Sequence, residues 1–249
     1  MAIEMLTVCL PPTAVPAVHD AVDRAMAPFD MNGTAGSWQG EWDSWGIGGR
    51  SPFAVRPGAE HDPRLIRVEH LPGPSTPPPR PPSLCDGGPR GLLDLDTERD
   101  AVAARAREEW RTWHEYAGAF PPARTMDDFR REFNELHGTG PEARFRGLFE
   151  EQEVIRAIPG NPRVLALTTD MYDPVARFSG SEDGHVLQAS TLVNTTDALL
   201  TLDGRWLDVS TDVWRDQSEN HGKGYFGFAD AYLLGVPGDC LLIRVRFRC

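Results

Sequence analysis

The sequence predicts an α+β fold in which a sandwich of strands and helices is interrupted by a helical insertion. Three observations predict it: both ends of the chain alternate between strand-like and helix-like patterns, the middle has helical periodicity, and a proline-rich stretch at residues 72–82 separates them. The 249 residues are 40% hydrophobic, which is enough for one sizeable core. One domain with an insertion, or two small domains, would fit this length.

The N-terminal elements are predicted to be a strand, a helix and a second strand. Residues 5–10 form a short apolar run that ends at two prolines, as expected of a strand. Thr13 is the predicted N-cap of a helix in which apolar residues recur at helical spacing as far as Met26. After a glycine-rich loop, residues 45–55 could form a second strand, and Pro52 would confine part of it to an edge or a bulge.

The C-terminal elements complete the predicted sandwich. Residues 198–202 and 205–209 flank Asp203-Gly204, a dipeptide typical of a type I′ hairpin turn. A helix over residues 225–236 and a strand over residues 240–247 follow. The order strand, helix, strand, hairpin, helix, strand is that of a ferredoxin-like split βαβ sandwich.

The predicted domains follow from this order. Residues 1–71 and 197–249 form the α+β sandwich, residues 72–93 a proline-rich linker, and residues 94–196 a mainly helical insertion. Helices are expected over 97–117, 125–137 and 141–158, with Thr97 and Thr125 each close to a capping box and Gly138 at a C-cap. The apolar periodicity of residues 159–196 is too weak to predict a helix or a strand there.

Composition and charge exclude several classes of function. The net charge of −12 argues against non-specific nucleic-acid binding, which needs a basic face. No apolar run approaches the roughly 18 residues of a membrane span, and the N-terminus lacks a signal-peptide pattern, so we expect a cytoplasmic protein. The four cysteines form no C-x-x-C pair and have no histidines at zinc-ligand spacing. The sequence therefore indicates no disulfide framework, no metal site and no cofactor.

The first candidate site is the nine-residue run 42–50, which brings together bulky aromatic residues, charged residues and flexible glycines. It contains Trp42, Asp43, Trp45, Gly46, Gly48, Gly49 and Arg50. Strand alternation would place Trp45 and Ile47 on one face and Ser44, Gly46, Gly48 and Arg50 on the other. Bare backbone beside a cation on that second face could receive a phosphate or carboxylate. The alternative is architectural: the glycines form a bulge, the tryptophans pack, and Asp43 pairs with an arginine such as Arg50.

The second candidate site is a glycine-containing loop before the C-terminal helix. His221 and Lys223 stand among glycines there, where free amides and the helix dipole would favour an anion. A polar loop without function is the alternative. In a ferredoxin-like topology this loop and the first candidate site lie at the same end of the sheet. The predicted ligand is therefore an anionic small molecule, a nucleotide or another phosphate-bearing compound, bound by Trp42, Asp43, Trp45, Gly48, Gly49, Arg50, His221 and Lys223.

The last strand adds a row of arginines. Arg244, Arg246 and Arg248 alternate with apolar residues and are predicted to face the open side of the sheet. RNA-binding sandwiches use such a surface together with exposed aromatics, which the first strand does not supply. A solvated or acid-paired row is therefore favoured.

Two other classes of function stay open. A hydrolase or nucleotide-modifying enzyme could use His221 or His185 with nearby carboxylates, although neither G-x-S-x-G nor H-E-x-x-H occurs. A phage-derived structural or host-interaction protein would bind a protein partner through an exposed apolar patch. The catalytic residues, if the chain is an enzyme, are not identified by the sequence.

The run from Trp42 to Arg50 resembles the W-D-x-W-x-I-G-G-R signature of an uncharacterised group of actinobacterial and actinophage hypothetical proteins. Residues 27–30, 108–110 and 202–206 follow in the order of that group. The chain departs from it in two places: Ser51 replaces a tryptophan, and Arg246-Phe247-Arg248 replaces an Asp-x-His strand. The resemblance supports a shared fold and implies no activity.

Overall fold

A computed structural model describes residues 3–33, 40–68, 80–138, 142–210 and 223–249. The described strands are β1 (Ile3–Leu10), β2 (Ser44–Ile47), β3 (Phe53–Ala54), β4 (Leu84–Cys85), β5 (Gly87–Pro89), β6 (Ala198–Leu200), β7 (Trp206–Asp208) and β8 (Leu241–Arg248). The described helices are α1 (Val18–Met26), α2 (Thr97–Ala117), α3 (Met126–His137), α4 (Glu142–Glu150), α5 (Glu153–Arg156), α6 (Pro162–Thr168), α7 (Pro174–Arg177), α8 (Glu182–Thr191) and α9 (Lys223–Gly235). The chain divides into two compact units, one comprising Met1–Arg99 with Thr191–Cys249 and the other Asp100–Ser190.

The first unit is built on a mixed sheet. Its strands lie in the order β2-β8-β1-β6-β7, with β5 also paired to β8, while β3 and β4 form a small separate sheet. The longest pairing is antiparallel and runs from Ile3 opposite Arg248 to Leu10 opposite Leu241. Only β1 and β6 pair in parallel among the described strands. The predicted α+β class is therefore confirmed.

Helices cover both faces of this sheet. On one face, Leu6 and Val8 of β1 pack in a core with Val22 of α1. On the other face, Leu242 of β8 packs in a second core with Tyr225 of α9. Successive residues of β1 from Met5 to Leu10 are all buried, as expected of a strand that is covered on both sides.

The ferredoxin-like arrangement is not confirmed. The predicted order of elements is present at the two ends of the chain, but β1 and β6 are parallel neighbours and the helices are not segregated to one face. Local apolar periodicity predicts that a segment is a strand or a helix. It does not predict which strand lies beside it, because pairing is decided by contacts between residues far apart in the chain.

Two predicted elements near the N-terminus differ from the structure in detail. Thr13 does not cap α1: its hydroxyl donates to the carbonyl of Pro11, and a 3₁₀ turn over Val15–Ala17 precedes the helix. The predicted strand over 45–55 is two strands, β2 and β3, which belong to different sheets.

The hairpin between β6 and β7 uses a different turn from the one predicted. Gly204 has a φ of +80° and donates its N–H to the carbonyl of Thr201, and Thr201 N donates to the carbonyl of Arg205. A type I′ turn would also need a positive φ at Asp203, and no described non-glycine residue has one. The turn is therefore a three-residue loop that ends in a left-handed glycine.

Part of the predicted linker 72–93 is packed structure. Residues 84–85 pair with β3, and residues 87–89 pair with the first three residues of β8. Asp86 between them is fully buried, and a 3₁₀ turn over Arg90–Leu92 follows. The proline-rich residues 72–79 lie outside the described residues.

The second unit is helical and lies inside the predicted insertion 94–196. The helices over 97–117 and from Thr125 are confirmed, the latter with a complete capping box between Thr125 and Asp128 and with Gly138 as its C-cap. The predicted helix 141–158 is divided into α4 and α5, and residues 159–196 contain α6, α7 and α8. In the described parts of the chain, no helix has the length and apolar character needed to cross a membrane.

Candidate functional site

The two tryptophans of the first candidate site pack against the core on the α1 face, with Trp42 buried and Trp45 partly buried. Trp42 is 8% exposed, and its indole N–H donates to the carbonyl of Met26 at 3.1 Å. Trp45 packs against the core on the α1 face, with its ring centroid 5.0 Å from that of His19. Both tryptophans therefore fix β2 and the chain before it against α1.

Gly48 and Gly49 allow close packing at the end of β2. Their φ angles are +89° and +152°, and a Cβ atom on Gly49 would lie 2.5 Å from the Met5 side chain. The amide of Gly48 donates to the carbonyl of Arg244 at 2.7 Å, and the carbonyl of Gly49 accepts from Arg80 Nη2 at 2.6 Å. The Gly48 amide, predicted to receive an anion, is therefore already used within the fold.

Arg50 does not pair with Asp43. The exposed Arg50 side chain donates from Nη2 to the carbonyl of Ile3 at 2.9 Å, while Asp43 Oδ1 accepts from the hydroxyl of Ser44 at 2.9 Å. No ion pair joins Arg50 to a carboxylate in the parts of the chain that the structure describes. The guanidinium therefore keeps donors that a ligand could use.

Arg50 lines a cavity of about 480 Å³ at one end of the sheet. This cavity, here called the sheet-end pocket, lies where β1 and β6 begin and where β7 and β8 end. It is lined by Ile3, Glu4, Glu41, Arg50, Asp197, Trp206, Asp208, Val209, Ser210, Phe226, Phe247 and Cys249.

Four carboxylates share this pocket with Arg50. Glu4 lies in β1, Asp197 directly before β6, Asp208 at the end of β7, and Glu41 before β2. Asp197 is held in place because its Oδ2 accepts the backbone N–H of Met5 at 2.7 Å. Burial, assisted by the negative charge of Asp208, raises the pKa of Glu41. Within the described residues, no three His, Cys, Asp or Glu side chains are grouped so as to hold a metal ion.

Aromatic rings form the apolar part of the pocket wall. Trp206 packs on Phe29 and, edge to face, on Phe247, with ring centroids 5.3 Å apart in both pairs. The indole N–H of Trp206 is buried and has no acceptor among the described residues. Phe226 of α9 also lines the pocket. The pocket thus combines charges of both signs with apolar surface.

The predicted arginine row does not face one open surface. Arg244 is only 2% exposed and donates to the Thr7 hydroxyl and, at 2.9 Å each, to the carbonyls of Ser51 and Asn194. Its guanidinium carbon lies 3.9 Å from the centroid of the Phe53 ring. Burial lowers the pKa of Arg244 to about 10, so the side chain is still a cation at pH 7. Arg244 is therefore a structural residue.

Arg246 and Arg248 are exposed at the end of β8. They line a second cavity of about 290 Å³, here called the arginine cleft. Its other residues are Ile3, Ser44, Trp45 and Phe247. The cleft therefore shares Ile3 and Phe247 with the sheet-end pocket.

Of the two histidines predicted to be functional, the described one, His185, lines neither of these cavities. His185 belongs to the second unit, is 5% exposed, and neither ring nitrogen has a hydrogen-bond partner among the described residues. No described carboxylate is thus in reach of His185 as catalysis would require. His221 lies outside the described residues, and so does the side chain of Lys223. The enzyme hypothesis and the pairing of Arg50 with Lys223 stay predictions.

The four carboxylates of the pocket are not among the predicted site residues. They are spread over the chain from Glu4 to Asp208, with no motif spacing to connect them. The available signal was a carboxylate beside the end of a strand at Glu4, Asp197 and Asp208, which becomes informative only once the strand pairing is known.

No known protein family matches this chain, and neither the curated proteins nor the solved structures contain a significant match to it. The resemblance to the actinobacterial and actinophage group therefore stays a prediction.

Proposed function

We propose that this chain binds a small zwitterionic molecule, which carries an amine and an acidic group, in the sheet-end pocket. One observation carries the proposal: Arg50 and the carboxylates line a single cavity, and Arg50 forms no ion pair with Glu4, Glu41 or Asp197. Opposite charges that face a cavity instead of each other complement a ligand with charges of both signs.

The size and walls of the pocket support a small organic ligand. A cavity of about 480 Å³ is within the range of roughly 300–1,000 Å³ that is usual for small-molecule sites. The faces of Trp206, Phe226 and Phe247 supply apolar contact, and an ammonium group gains additional attraction from aromatic faces.

The carboxylates change the predicted ligand in one respect. A purely anionic molecule at Arg50 would be repelled by the carboxylates that face the same cavity, while the chain as a whole carries a net charge of −12. An amine on the ligand converts this repulsion into attraction. The proposed ligand therefore keeps the predicted acidic group and adds a cation.

Calorimetric titration with matched probes tests the proposal. γ-Aminobutyrate carries both charges, butylamine only the amine, and butyrate only the acid. We expect γ-aminobutyrate to bind at least about tenfold more tightly than either single-charge probe, since a charged hydrogen bond contributes about 1.5–3 kcal/mol. Equal affinity for γ-aminobutyrate and butylamine would contradict the proposal.

Two variants test which side chain binds the amine and which binds the acidic group of the ligand. Glu41→Gln keeps the shape of the side chain and should weaken butylamine binding, whereas Arg50→Gln should weaken butyrate binding. Arg24→Gln is the matched control, because Arg24 is an exposed arginine of α1 that does not line the pocket. The proposal fails if Arg50→Gln behaves like this control.

A further inference from the structure

The arginine cleft is built so that its two guanidinium groups face no carboxylate on the neighbouring strands. Gly46 of β2 and Met5 of β1 flank Arg246. Ser44 and Ile3 flank Arg248 in the same way. Neither arginine forms an ion pair within the described part of the chain.

The start of β1 lines both the arginine cleft and the sheet-end pocket. Ile3 lines both cavities, pairs with Arg248 across the sheet, and accepts the hydrogen bond from Arg50. Arg246 Nη2 lies 3.4 Å from the position that a Cβ atom on Gly46 would take, so this guanidinium lies over bare backbone. Three arginines therefore gather around one strand end.

We propose that the acidic group of the ligand is a phosphate, bound in the arginine cleft by Arg246 and Arg248 with Arg50 beside it. This inference rests on the proposed function, because it specifies the acid of the same zwitterion. A carboxylate is satisfied by one bidentate guanidinium, whereas a phosphate monoester has three terminal oxygens and a charge of about −1.5 to −2 at pH 7. The hydroxyl of Ser44, which also lines the cleft, already donates to Asp43 Oδ1, so the arginines supply the donors for the phosphate. The ligand class is a small phosphorylated amine.

Phosphoethanolamine and γ-aminobutyrate make a matched pair for the test, because the amine nitrogen and the acidic centre are separated by the same number of bonds. We expect calorimetry to show that phosphoethanolamine binds at least about tenfold more tightly. Arg246→Gln and Arg248→Gln should each weaken phosphoethanolamine binding about tenfold or more and change γ-aminobutyrate binding less than about twofold. Arg24→Gln is the control, and thermal unfolding shows that each exposed variant is folded.

Three results would overturn the inference: equal affinity for the two probes, equal losses for both probes in the cleft variants, or loss of phosphoethanolamine binding in Arg50→Gln alone. Inorganic phosphate separates this inference from the proposed function. Phosphate binding that depends on Arg246 and Arg248 would support the cleft even if Glu41→Gln left amine binding unchanged, a result that contradicts the proposed function alone.

Discussion

The middle and the end of β8 place the same residue type in opposite situations. Arg244, Arg246 and Arg248 are two residues apart and face the same side of the sheet, yet Arg244 is 2% exposed and the other two are exposed. The difference comes from what covers the strand, since Phe53 and the carbonyl of Ser51 lie against Arg244. Alternation determines the face of a sheet, and the covering layer determines whether a charge there is structural or available.

Among the described residues, neutral groups surround the buried Arg244 guanidinium and no carboxylate forms an ion pair with it. Burial raises the pKa of Cys9 to about 12 and that of Cys85 to about 11, so both thiols near Arg244 are uncharged at pH 7. Burying an unpaired charge is costly, and hydrogen bonds to three oxygens together with the Phe53 ring offset that cost. Arg244 thereby connects β8 to the segment before β3 and to the chain before β6.

The largest expected effect comes from replacing Arg244 by methionine. The substitution removes the donors to the carbonyls of Ser51 and of the buried Asn194, and a buried acceptor left without its donor costs about 1–3 kcal/mol. We expect the free energy of unfolding to fall by about 3 kcal/mol or more in urea denaturation followed by circular dichroism. Arg246→Met, the matched change two residues away, should stay within about 0.5 kcal/mol of the parent protein. If both variants lose the same unfolding free energy, the arginine in the middle of β8 is no more structural than the one near its end.

Replacing Gly48 by alanine should have the next largest effect. Gly48 has a positive φ, its amide bonds to the carbonyl of Arg244, and a Cβ atom would lie 2.7 Å from Val68 Cγ2 and 3.0 Å from the buried Asp86 Oδ1. Backbone strain and overpacking each cost about 1–3 kcal/mol, so we expect a loss of about 2 kcal/mol or more in urea denaturation.

Gly46→Ala is the control for this glycine, because Gly46 lies opposite the exposed Arg246. Its nearest contact would be 3.4 Å from the mobile end of that arginine. We expect a loss below about 1 kcal/mol. If Gly46→Ala loses more unfolding free energy than Gly48→Ala, then the cost of a side chain on β2 does not depend on whether the facing arginine of β8 is buried or exposed.

Features that depend on local sequence could be predicted, whereas features that depend on contacts between distant residues could not. The strand and helix segments were predictable because apolar periodicity is local, as α2 with its bounds Thr97–Ala117 shows. Strand β5 was not, since the three residues Gly87–Pro89 have no pattern and pair with the distant β8. The burial of Arg244 was missed because the residues that cover it lie about 190 positions earlier in the chain.

The direction of the strands determines which residues of the sheet-end pocket could be predicted from the sequence. Arg50 was predictable from its glycine-rich surroundings and does line a cavity. Glu4 and Asp197 come together because β1 and β6 are parallel, so both strands begin at the same end of the sheet. An antiparallel pairing would have placed these two carboxylates at opposite ends.

The smallest expected effect concerns His185, a buried side chain that, unlike Arg244, has no hydrogen-bond partner in the described parts of the chain. Burial, with the nearby positive charge of Arg177, lowers the pKa of His185 below its ordinary value of about 6.5. As the pH falls, the unfolded chain therefore takes up a proton before the folded protein does. The free energy of unfolding should decrease as the pH falls through about 6.5 and stop decreasing below the pKa of the folded state, with a slope of at most about 1.4 kcal/mol per pH unit.

His185→Leu removes this titration together with two buried nitrogens that have no hydrogen-bond partner among the described residues. We expect the variant to be about 1 kcal/mol more stable at pH 7 and to lose the contribution of His185 to the acid slope. Hydrogen exchange of amides around Phe178, whose ring centroid lies 5.0 Å from that of His185, measures both changes within the second unit. His137→Leu, at an exposed histidine of the same unit, is the matched control. If His185→Leu instead destabilises these amides as strongly as Arg244→Met destabilises the first unit, the ring nitrogens have partners, and His185 is a satisfied buried group as Arg244 is.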